Sequence, residues 1–165
     1  MPFDYEANVG AVYQCILDHN TTTATPDLSS GLTTRVKNVY KNDPAIIGLR
    51  GDIYPAVFVR INSKEEDYAG MGTTGPSGAR KHATASYDVI GFYRKDGAIS
   101  SHANVLVELQ RLAENIEGVF QQETSLSATA MWCQVADTNF YGPFQTDELW
   151  IKAVVCNLKA EYHFR

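Results

Sequence analysis

Apolar residues recur at three- and four-residue steps between Ser101 and Phe120: Val105, Leu106, Leu109, Leu112, Ala113, Ile116, Val119 and Phe120. That spacing draws one stripe along an α-helix. Asn104, Glu108, Gln110, Arg111, Glu114 and Glu117 fall on the side that prefers water. Ser100 or Ser101 can cap the start through a side-chain oxygen, and Gly118 stands near the end. Burying such a stripe is worth about 10 kcal/mol gross, before conformational entropy is subtracted. A shorter stripe of Val9, Val12, Tyr13, Ile16 and Leu17 predicts a first helix over residues 5–20.

Elsewhere the period changes to two. Residues 53–64 (IYPAVFVRINSK) and 82–95 (HATASYDVIGFYRK) predict two strands before the long helix, and 130–136 (AMWCQVA) and 148–164 (ELWIKAVVCNLKAEYHF) two after it. Residues 21–31 (TTTATPDLSSG) predict a loop, and 32–52, broken by Asp43-Pro44 and Gly48, short irregular pieces. The segment 65–81 (EEDYAGMGTTGPSGARK) carries four glycines and almost no aliphatic bulk, and so predicts a protruding hairpin loop, ordered by a partner. DTNFYGPFQTD, with Gly142-Pro143, predicts a connection between the last two strands. The order α-β-β-α-β-β, with loop-joined strand pairs, predicts an α+β domain: about four strands, antiparallel or mixed, with two helices on one face. Ile90 and Phe92, and Trp150 and Val154, leave the sheet's other face apolar, so either a neighbouring subunit or the chain's own 21–52 segment covers it.

Length and composition agree with one domain over 1–165: 165 residues, 44% hydrophobic, are enough for a real core. The net charge of −5 argues against affinity resting on nucleic-acid phosphates, although it does not prevent DNA from sliding past a wall of this protein. Cys15, Cys133 and Cys156 are odd in number and widely spaced, which predicts reduced, buried thiols rather than a disulfide framework or a zinc site. The first residues, MPFDYEANVG, lack the basic and apolar regions of a secretion signal, and no run reaches the length of a membrane span, so no membrane is expected among the partners.

Candidate chemistry is sparse. Gly70-Met-Gly72-Thr-Thr-Gly75 spells G-x-G-x-x-G, but Pro76-Ser77-Gly78 and then a strand follow where a phosphate site needs a helix, so the segment reads as a hairpin tip. Pro76 also stands where a Walker pattern requires Lys. His19, His82, His102 and His163 show no helical metal spacing, and no nucleophile–base motif surrounds a Ser or Cys. Glu65-Glu66-Asp67 reads as a solvated acidic turn rather than a cation site. The expectation is no catalytic residue, no cofactor, no metal and no enzymatic activity.

YPAVFV (54–59), SYDVIGFYRKDG (86–97), NIEGVF (115–120), WCQVADTNFYG (132–142) and ELWIKAVVCNLKAEY (148–162) resemble, in type and order, the tail terminator (tail completion) proteins of tailed bacteriophages. The resemblance covers roughly residues 50–165. It implies an α/β fold and a hexameric ring that caps the tail tube, ends its growth and joins the tail to the neck of the capsid. It implies no reaction and no cofactor. The partners it implies are five further copies of the chain, the tail tube protein, a neck or connector protein, and genomic DNA passing through the lumen without specific binding. The location it implies is the virion's tail end, assembled in the host bacterium's cytoplasm. A different head–tail connector and a small cytosolic enzyme are the rival readings. Candidate subunit contacts are Glu65, Glu66 and Asp67 on one limb of the loop, Arg80 and Lys81 on the other, and Ile90, Phe92, Trp150 and Val154 at the second sheet face or open sheet edge.

Overall fold

The computed structural model describes residues 3–41, 53–69, 80–94, 102–146 and 149–164. The chain runs α1 (Tyr5–Asp18), β1 (Asn38–Tyr40), β2 (Ala56–Ala69), β3 (Arg80–Arg94), α2 (His102–Gln122), β4 (Trp132–Thr146) and β5 (Leu149–Phe164). The strands form one five-stranded sheet in the order β1-β2-β3-β5-β4. β1 is parallel to β2 and every other pair is antiparallel, so the class is α+β with a mixed sheet. The two expected hairpin pairs, β2–β3 and β4–β5, are joined through β3 and β5. The fifth strand, β1, comes from the stretch expected to be irregular.

Both helices lie on one face. Asp4 caps α1 by accepting from the Ala7 amide at 2.9 Å, and Val12, Cys15 and Ile16 are buried beneath it. From α2, Val105, Leu109, Leu112, Ala113, Ile116, Val119 and Phe120 pack on Val57, Val59, Tyr87, Val89, Val154, Cys156 and Leu158. Gly91 lets α2 approach: a Cβ there would stand 2.5 Å from Leu112 Cδ2. Two residues of the helical pattern behave otherwise than expected. Leu106 is exposed, whereas Glu108 is buried.

The burial of Glu108 follows from the loop after α1. Thr33 donates to the Glu108 carboxylate from its amide at 2.8 Å and from Oγ1 at 2.9 Å, and Arg111 Nη1 reaches it at 3.3 Å. Asn115 Nδ2 donates to the Leu28 and Ser30 carbonyls, and Arg111 to that of Gly31. Residues 28–33 are therefore strapped over α2 and do not cross to the other side of the sheet. Asp27 and Arg35 fasten the strap with two hydrogen bonds, at 2.7 and 3.0 Å.

Three expected boundaries move. β2 runs to Ala69 and β3 starts at Arg80, so the limbs of the expected 65–81 loop are sheet; its tip lies outside the described residues. β4 continues through the expected connection at 137–146. It absorbs Gly142-Pro143 as a bulge, with the register shifting between Tyr141 and Phe144 and Gly142 at φ +100°.

Candidate subunit interface

Cys15, Cys133 and Cys156 are free and buried. Burial pushes the Cys15 and Cys156 thiols up to about 12 and that of Cys133 to about 11, so at neutral pH they are protonated and poor nucleophiles. Among the described residues no group of three or more His, Cys, Asp or Glu side chains is placed to hold a metal ion. What the surface does offer is an open sheet edge bearing large apolar side chains.

That edge is β4, which has only β5 as a strand neighbour among the described residues. Trp132 is 38% exposed, Phe140 44%, Tyr141 49% and Phe144 47%; Met131 and Trp150 extend the exposed group. Monomeric proteins blunt their edges with charge and seldom gather aromatic rings there; contact surfaces are enriched in them. The edge is bent at two register shifts, Val135/Asp137 and Tyr141/Phe144. On its helix side a groove of ≈ 430 Å³ opens between β4 and the last turns of α2, lined by Glu117, Gln121, Thr124, Trp132, Gln134 and Asp137 among others. Glu117 accepts from Thr138 Oγ1 at 2.7 Å, which ties the helix to the strand at the groove floor.

The opposite edge is open over part of its length. β1 pairs only with Ala56, Val57 and Phe58, so β2 from Arg60 onward has no strand on that side among the described residues. Here the N-terminus builds a corner. The Phe3 and Tyr5 rings meet edge to face at 5.0 Å, and Lys64 Nζ stands 5.2 Å from both ring centres. Phe3 is buried against Tyr162, while Tyr5 is 49% exposed. Lys64 is also paired with Glu66.

The sheet's far face divides in two. At one end Tyr54, Ala56, Phe58, Ile90, Ile151 and Ala153 form a second buried cluster, on which Tyr40 and Phe92 pack. Tyr40 stacks on Phe58 at 4.9 Å, so the 21–52 segment contributes to this cover through β1. Toward the other end the face is polar. Asp88, 5% exposed, accepts from Arg60 Nε at 3.1 Å, Asn157 Nδ2 at 3.1 Å and Asn62 Nδ2 at 3.4 Å. These residues, with Asp137, Asn139 and Lys159, line a shallow basin of ≈ 550 Å³.

The sequence-predicted contact residues do not form one surface. Glu65, Glu66 and Asp67 are exposed but lie on β2, opposite Thr84, Ala83 and His82, and strand alternation sends Glu66 to the opposite side from its neighbours. Arg80 and Lys81 are strand residues of β3, opposite Ala69 and Tyr68. Ile90 and Phe92 belong to the far-face cluster, with Ile90 only 5% exposed. Val154 does not share their face: it pairs with Gly91, lies beneath the helices and is fully buried. Trp150 has the same parity as Val154, at the exposed end of β5. The aromatic residues of β4 were missed because Gly142-Pro143 reads as a loop; the alternation of Asn139, Phe140, Tyr141 and Phe144 carries no clear period across the bulge. The chain was compared with models of protein families and with curated proteins, and none matches it.

Proposed function

We propose that this protein is a structural virion component: a ring of six identical subunits that caps the end of a phage tail tube, ends tube growth and joins the tail to the neck. The observation that carries this reading is the pair of open, unlike sheet edges. Head-to-tail rings need two different surfaces on each subunit, and closure needs a rotation per subunit that divides the circle. β2 and β4 run in opposite directions, because three antiparallel pairings separate them. A rotation about an axis along the strands would therefore set the β2 edge of the next copy antiparallel to β4, the pairing that sheets form most readily. Both helices would then lie on one side of the ring wall and the polar half of the far face on the other. A polar wall with an acidic chain does not hold DNA by its phosphates, as a lumen requires. The motif resemblance to tail terminators supports the same reading. In it the protein performs no reaction, and its partners are its own copies, the tail tube and a neck protein.

Light scattering of the purified chain, together with electron microscopy of assembled tails, tests this. The expected result is a ring with six times the 18.3 kDa chain mass, placed where tube meets neck. A stable dimer, or a twelve-subunit ring at the neck, would overturn it.

A further inference from the structure

The groove beside β4 and the aromatic corner beside β2 match in level, side and chemistry. Register fixes the level. Across the sheet Trp132 stands beside Glu161, Glu161 beside Thr84 and Thr84 beside Glu65, while Asp137 leads through Asn157 and Asp88 to Arg60. The groove-bearing part of β4 thus lies at the same height as the open part of β2. The side also agrees. Lys64 pairs with Ala85 and Cys133 with Ala160, all on the helix-covered face, so corner and groove both open on the helix side. The chemistry is complementary: on the helix side the groove carries the Glu117 carboxylate and the Gln121 side chain, and the corner presents the Tyr5 ring and the Lys64 ammonium. The two cannot meet within one chain, because three strand spacings, about 14 Å, separate β2 from β4 across the sheet.

We infer that the α2–β4 groove receives the Tyr5–Lys64 corner of a second copy of this chain. The inference rests on the ring reading above and adds to it the contact made outside the sheet edges. The Tyr5 ring enters between α2 and β4, its hydroxyl within the reach of Gln121 and Thr124, and Lys64 faces Glu117. An aromatic anchor in a groove closed off by surrounding contacts is the arrangement that concentrates binding energy in interfaces.

Two variants test it. Tyr5→Ala should raise the subunit dissociation constant about tenfold, the loss typical of one anchoring aromatic, with the isolated chain still unfolding in one cooperative transition. A double variant, Tyr5→Cys with Gln121→Cys, treated with a short bismaleimide, should yield a covalent ladder ending at six chains. The native cysteines are buried and leave the background low. Hexamers that dissociate like the parent in Tyr5→Ala and give no ladder in the double variant would overturn the groove contact and leave the ring reading standing. A chain that stays monomeric at every accessible concentration would overturn both.

Discussion

At Gly91 a single missing methyl sets the distance between α2 and the sheet. A Cβ would meet Leu112 Cδ2 at 2.5 Å and Val154 Cγ1 at 3.1 Å, both in the fully buried core. Gly91→Ala is expected to destabilise the fold by about 1–3 kcal/mol through overpacking, read as a lowered midpoint in chemical denaturation; an unchanged midpoint would mean that α2 slides freely. The turn after α2 gives the opposite case. Leu126, Ser127 and Ala128 all adopt positive φ, of 46°, 54° and 70°, a region that costs an L-residue about 1–2 kcal/mol. Ala128 is exposed and its methyl is not part of the buried core. Ala128→Gly is therefore expected to stabilise by up to about 1 kcal/mol, the relief at a left-handed position outweighing the gain in unfolded-chain entropy. A lowered thermal midpoint would contradict this.

At the scale of elements, the strap over α2 depends on charge. The Arg35 guanidinium, hydrogen-bonded to Asp27, holds that carboxyl below the usual carboxylate range. A carboxyl whose folded value is depressed contributes stability that is complete above its unfolded value, about 3.9, and is lost as pH falls through the folded value. Asp27→Asn should consequently lower the thermal midpoint at neutral pH, and the gap from the parent should close on the acid side of that window; a gap of constant size would show that the ion pair is not its cause. The strap also marks the limit of what the sequence makes legible. Strong periods, as in α2 and β3, announce their elements to within a few residues, because packing on one face repeats at fixed intervals. β1 is three residues long and displays no period at all, and only the pairing of Asn38–Tyr40 with Ala56–Phe58 makes it a strand. Glu108 looks solvent-facing until a loop 75 residues earlier in the chain donates to it. Of the candidate interface, the acidic residues at 65–67 were visible as exposed groups, whereas the face of Val154 depended on a cross-strand register that its own sequence does not encode.

For the whole molecule, the long ladder between β3 and β5, running without a break from Lys81–Phe164 to Arg94–Ile151, has a mechanical meaning. Inter-strand hydrogen bonds lie perpendicular to the strands. Tension directed along the strands loads that ladder in shear, so its rungs share the force and must yield together. Tension directed across the strands would peel the same rungs open one after another. In the proposed role, strands aligned with a pull between capsid and tail would present the sheet to the load along its strong direction.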